Sequence, residues 1–353
     1  MFDVHMHFFP RDLPAPSDAA VEQGWPVVAD KGQHIEVFQR GKLIRVLEST
    51  AWDPVARIRA MDRLGVETQL VMPTPFTFLY DADPEIAIAF AHAQNDLLAE
   101  LVAAGDGRLY GLGALPLQNP AAAIAEATRL RVALGLSGVE IGTHAGNLLL
   151  HDPDLDPLFA RLVELDASVF VHPWKPLEPC RTAHSGLGFG LGRPVETELA
   201  VGSLVFGGVL DRHPNLRVCL AHGGGGVPAL RGRLHNGWSR QDEASRYPGG
   251  DPRQALHRLW ADGLTYDPLV LALAEDTFGP EHMVVGSDFP FAAQEQSTGA
   301  SYADAVERGL LRMGSAWIDR TTQNAYSFLG SPGPRTPTSR PRSDESNPIG
   351  ATT

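Results

Sequence analysis

The chain has 353 residues, 43% hydrophobic and 20% charged, a balance that suits a globular enzyme with a sizeable core. Acidic residues number 42 against 29 Lys and Arg, a formal charge of −13. Such a surface repels phosphate backbones and anionic lipid, which argues against nucleic-acid and membrane-surface partners and leaves a small molecule as the expected ligand.

The two cysteines, Cys180 and Cys219, cannot make a disulfide framework. No run reaches the ~18 apolar residues of a membrane helix. Met1-Phe2-Asp3-Val4-His5 carries neither a basic nor an apolar leader, so the expected compartment is the cytoplasm.

In chain order, a strand is predicted at Phe2–His7. An insertion over residues 10–52 follows, rich in proline at first. It then alternates over His34-Ile35-Glu36-Val37-Phe38-Gln39 and Leu43-Ile44-Arg45-Val46, which predicts a small β-hairpin. Seven more β-like runs come at Thr68–Pro73, Leu109–Pro116, Gly138–Thr143, Ala167–His172, Leu216–His222, Arg258–Thr265 and His282–Asp288. Helical spacing marks Pro54–Leu64, Pro84–Ala104, Ala121–Leu134, Asp156–Asp166, Glu196–Arg212, Val227–Trp238, Pro268–Phe278 and Tyr302–Met313, with an extra helix at Asp319–Leu329. Eight strands alternating with eight helices predict a parallel sheet closed as a (β/α)8 TIM barrel over residues 1–330. Residues 331–353 hold too little apolar surface to offset their ordering entropy and are expected to be a disordered tail.

Four histidines and an aspartate fall at the carboxyl ends of predicted strands. His5 and His7 are spaced i, i+2 and therefore share a face of the first strand. His172 ends the fifth, His222 the sixth and Asp288 the eighth. In a closed barrel those ends meet at one mouth, where barrel enzymes place their chemistry. Three imidazoles and a carboxylate suit Zn2+ with an open coordination position, although Fe2+, Mn2+ or Cu2+ can occupy a similar site. His222 is left free to act as a base beside the metal. Each residue alone is equally well a polar cap on a strand; the joint pattern carries the reading. His144 is a lesser candidate for the mouth. The other six candidates outside this set, among them His213 and His282, read as surface or structural residues, and Cys219 as core.

Further motifs are Ala51-Trp52-Asp53-Pro54, Arg57-Ile58, Met61-Asp62, Val171-His172-Pro173-Trp174, His222-Gly223-Gly224-Gly225, Gly232-Arg233 and Gly286-Ser287-Asp288-Phe289-Pro290-Phe291. With His5-Met6-His7-Phe8-Phe9-Pro10, they make a chain that resembles the amidohydrolase-related decarboxylases from about residue 1 to 329. The resemblance implies that His5, His7, His172 and Asp288 hold zinc and that His222 is the catalytic histidine, with Asp288 beside it in the catalytic set. It implies that Arg45 and Arg233 grip substrate carboxylates, with Arg233 reaching the site of a neighbouring subunit in a homodimer. From its place beside His172, Trp174 reads equally as a flank of the pocket or as a packing residue. The chain departs from its relatives after Trp174, where a glycine-rich stretch replaces bulkier pocket wall.

The activity so implied is non-oxidative decarboxylation of a small unsaturated or aromatic carboxylate or dicarboxylate. A hydrolase, hydratase or cyclase acting on an aminobenzoate-derived molecule is the alternative enzyme. A catalytically dead binding barrel is the alternative outside enzymes; the intact His and Asp set argues against it.

Overall fold

In the computed structural model of the chain, residues 1–175, 179–242, 248–291, 294, 295 and 297–331 are described. The predicted tail beyond residue 331 lies outside them, as does part of the glycine-rich departure, residues 176–178.

Eight parallel strands form one sheet in sequential order: β1 (Phe2–Phe8), β2 (Thr68–Pro73), β3 (Leu109–Ala114), β4 (Gly138–Gly142), β5 (Ser168–His172), β6 (Val218–Leu220), β7 (Trp260–Asp262) and β8 (Met283–Val284). Closure onto β1 runs through Val4 N–H to Val285 O at 2.8 Å and His7 N–H to Phe289 O at 2.7 Å. The expected TIM barrel is the observed architecture.

Helices follow the strands: α1 (Pro54–Leu64), α2 (Pro84–Ala103), α3 (Pro120–Val132), α4 (Asp156–Glu164), α5 (Arg193–Phe206), α6 (Val227–Ser239), α7 (Pro268–Phe278), α8 (Ala300–Glu307) and α9 (Trp317–Phe328). Several start on one chemical device. Asp53, Asn119 and Asp267 accept hydrogen bonds from first-turn amides, and proline takes the next position, where its missing N–H and fixed φ cost nothing.

Side chains alternate across each strand. Val71, Val139, Ile141, Val169, Val171 and Leu220 pack outward beneath the helices. Phe2, Val4, Leu70, Met72, Leu112, Phe170 and Cys219 fill the barrel interior. The same inner cluster includes Tyr326 and Phe328 of α9, and Phe328 O accepts from Ser168 Oγ at 2.6 Å and Arg217 Nε at 2.7 Å. The extra helix therefore plugs the amino-terminal end and leaves chemistry to the opposite mouth.

Three expectations are revised. The hairpin over His34–Gln39 and Lys42–Glu48 carries a third antiparallel strand, Val27–Asp30. The predicted Glu196–Arg212 helix breaks at Gly207 and Gly208; the latter has φ +71°, and a side chain at Gly207 would run into His151. The last three strands are only two or three residues long; β6 and β8 turn early into the loops that carry His222 and Asp288, while Asp262 is the last residue of β7.

Candidate active site at the barrel mouth

A register shift between Asp3 and Met6 interrupts the alternation of β1, so that His5 and His7, spaced i, i+2, share the interior face beyond Val4, where both are fully buried. Each has its Nδ1 engaged. His5 Nδ1 is 2.6 Å from Asp262 Oδ2, and His7 Nδ1 is 3.1 Å from Pro73 O. His172, at the end of β5, has Nδ1 3.0 Å from Pro173 O. Those acceptors hold the protons on Nδ1, so each Nε2 presents a lone pair.

One ring nitrogen each of His5, His7 and His172 and a carboxylate oxygen of Asp288 lie within 4.8 Å of one another. His5 Nε2 and His7 Nε2 are 3.2 Å apart, and Asp288 Oδ1 is 3.0 Å from His7 Nε2. His172 Nε2 is buried with no hydrogen-bond partner among the described residues. Lone pairs converging among buried side chains repel unless a cation shares them. The donor set fits a divalent ion of tetrahedral or slightly expanded geometry.

Electrostatics follow the same lines. Burial and then His222 push His172 well below the usual imidazole range. Burial works against protonation of His5, but the Asp262 carboxylate overrides it and leaves His5 raised. Burial opposes ionisation of Asp288, yet the imidazoles around it, His7 first, hold it below its ordinary value.

His222 sits at the end of β6 with its ring centroid 5.1 Å from that of His5 and 5.2 Å from that of His172. Its backbone N–H donates to Asp262 Oδ2 at 3.0 Å. Burial, then the charge of His5, pushes the imidazole down to about 4, so it is neutral at pH 7 and can accept a proton. His222 and Asp288 both adopt left-handed backbone, φ +56° and +61°. For residues other than glycine that conformation is strained, and it recurs where function over-determines the chain.

The other predicted residues fall as follows. Arg45, on the last insertion strand, stands over the rings of Phe76 and Phe291 at 5.6 and 5.8 Å, and Phe291 is 5.3 Å from His7. Trp174 is 6% exposed and packs edge-on against Tyr80 at 4.9 Å. Tyr80 in turn accepts from Gly142 N–H at 3.0 Å, and a Cβ on Gly142 would strike its ring. His144 lies behind Trp174 and faces Glu196 at 3.4 Å. Arg233 is elsewhere. It is exposed on α6 and lines a groove of about 1210 Å³ with Leu199, Phe206 and Trp238, and none of the five mouth residues lines that groove.

Sequence reasoning missed three residues. Asp262 closes β7 as the ligands close theirs, which was a usable signal. Glu140 is a lone acid within an apolar strand; it is fully buried with both oxygens unpartnered among the described residues, and burial lifts it well above the carboxylate range. Arg193 gave no signal beyond following a glycine-rich stretch.

Comparison with known proteins gives a family-scale match. The amidohydrolase family model covers residues 2–314. A 2-amino-3-carboxymuconate-6-semialdehyde decarboxylase of Dictyostelium discoideum is 34% identical, spanning 93% of this chain and 91% of its own length. A protein of the same name from Caenorhabditis elegans is 31% identical over 84% and 87%. Among solved structures, apo IDCase of Metarhizium anisopliae superposes with a TM-score of 0.78 at 23% identity, covering 93% of this chain and 96% of that one. A dihydroxybenzoic acid decarboxylase of Polaromonas sp. JS666, solved with bound manganese and 2-nitroresorcinol, gives 0.69 at 22% identity, covering 93% and 96%. The two structural likenesses are likenesses of fold.

Proposed function

The chain belongs to the amidohydrolase family, and on that premise we propose that it is a metal-dependent carboxy-lyase that removes CO2 without oxidation from a small unsaturated or aromatic dicarboxylate. The observation that carries the reading is the convergence of three imidazole nitrogens and one carboxylate within 4.8 Å at the barrel mouth.

His5, His7, His172 and Asp288 hold the ion; zinc is the first choice for this donor set. When bound, the cation supplies a Lewis acid that draws charge from the substrate. Arg45 pairs with a substrate carboxylate, its guanidinium fork matching the two oxygens. Phe76, Phe291 and Trp174 exclude water around the conjugated part. His222 takes up a proton from solvent on its neutral imidazole and delivers it to the carbon bearing the departing carboxylate. That carbon becomes tetrahedral; the bond to the carboxylate then breaks, its electron pair restores conjugation, and CO2 leaves. Asp288, beside the His222 ring, favours the protonated imidazole during that transfer. The substrate named for the curated relatives, 2-amino-3-carboxymuconate 6-semialdehyde, is the first to try.

The working unit is a homodimer in which Arg233 of one copy serves the site of the other. Arg233 is exposed and makes no ion pair among the described residues, and its groove includes Leu199, 53% exposed.

The test is metal analysis combined with CO2 release. One equivalent of divalent ion and CO2 that disappears on chelation are expected. A loaded protein that converts the semialdehyde or an aromatic acid panel without CO2 would instead select the hydrolase, hydratase or cyclase alternative.

A further inference from the structure

A cavity of about 220 Å³ opens beside Trp174, walled by Arg40, Lys175 and Arg193 with Phe76 and Pro173. That is a cationic wall in a protein of charge −13. Two of its cations are engaged: Lys175 pairs with Asp81, and Arg40 Nη2 donates to Gln23 O at 3.3 Å. Arg193 is different. It is half-buried, and no carboxylate lies within ion-pair distance of its guanidinium among the described residues. Arg45 is exposed, stands 5.6 Å from the ring of Phe76 that also lines this cavity, and likewise has no ion-pair partner among the described residues; its Nη1 donates to the adjacent Ile44 O at 2.7 Å. Partial burial of the guanidinium and then the charge of Arg193 lower Arg45, against a lesser pull from Asp288. Arg193 also opens α5 with Pro194 next to it, a rigid mount for a long side chain. Arg193, half-buried and without an ion-pair partner among the described residues, gains from a carboxylate that its fork can grasp, and Arg45 adds a second fork across the Phe76 ring.

We propose that Arg193 acts with Arg45 as a receptor for the substrate carboxylate that is retained, and so makes the enzyme select dicarboxylates over monocarboxylates. The decarboxylase reading enters only in saying which carboxylate is kept; the binding claim stands on Arg193 in the cavity wall and on the Phe76 ring that it shares with Arg45.

Calorimetric titration of the zinc-loaded protein with isophthalate and with benzoate tests it. Wild type should bind isophthalate at least ~10-fold more tightly than benzoate, the scale of one charge-assisted pair. Arg193→Met should erase that ratio while leaving benzoate affinity within about twofold, which also shows an intact fold. Arg193→Lys should fall between, because it keeps the charge and loses the fork. An isophthalate affinity unchanged in Arg193→Met, or an equal loss for both ligands, overturns the proposal. Failure of the decarboxylase reading would show separately, as absence of CO2 with the isophthalate ratio intact.

Discussion

Asp262 accepts a hydrogen bond from Nδ1 of His5 at 2.6 Å, with both side chains fully buried. The same carboxylate receives the backbone N–H groups of His222, Gly223 and Leu264, each at 3.0 Å. One side chain thus aims an imidazole of the proposed metal site and fixes the backbone of the proposed base.

Removing it should therefore loosen both. Asp262→Ala is expected to weaken metal affinity roughly 10–100-fold, as loss of a carboxylate behind a metal-bound imidazole does elsewhere. Competition against a chromogenic chelator measures this; an affinity equal to wild type would show that Asp262 does not orient His5.

The proposed base gives a pH signature. Since burial holds His222 near 4, the imidazole is neutral over most of the working range, and activity that needs a free base declines only as pH falls through that value. The acid limb of kcat/KM should lie nearer 4 than the ordinary 6.5. His222→Ala should retain its metal and lose at least ~100-fold in kcat. An undiminished kcat in that variant rules the base role out.

Subunit sharing has a cleaner readout than size alone. If Arg233 serves the neighbouring site, Arg233→Ala and His222→Ala proteins are each inactive, yet mixed and re-associated they regain about a quarter of wild-type activity, because half the dimers are hybrid and one of their two sites is whole. No recovery in demonstrably hybrid dimers would place Arg233 outside catalysis.

Asp3 predicts a stability effect apart from chemistry. It is fully buried, its Oδ2 has no partner among the described residues, and burial pushes its carboxyl up to about 7 from 3.8. The unfolded chain ionises first. Stability present below pH 3.8 is therefore lost as pH climbs through 7, by up to ~4 kcal/mol. Asp3→Asn should flatten the decline of stability over that interval, measured by denaturant titration; an unaltered slope would mean that Asp3 is solvated or paired.

Much of this architecture was legible because the barrel writes itself in simple terms. Buried parallel strands read as apolar runs such as Ser168-Val169-Phe170-Val171, and Asp53-Pro54 or Asp267-Pro268 announces a helix start. Histidines and Asp288 were visible because they interrupt such runs at one end. Asp262 was harder: it works on the far side of His5, a relation between residues 257 apart. Arg193 was illegible, since an unpaired guanidinium is defined by what surrounds it in space. The Gly207–Gly208 break was hidden by helical residues on both sides, and Val27–Asp30 is too short and too exposed to stand out as a strand.

The left-handed backbone of His222 bears on how such a protein tolerates change. A glycine there would surrender the imidazole while relieving torsional strain of ~1 kcal/mol. The inactive His222→Gly protein should consequently melt no lower than its active parent, and thermal robustness would be a poor guide to which descendants of this chain still turn over substrate.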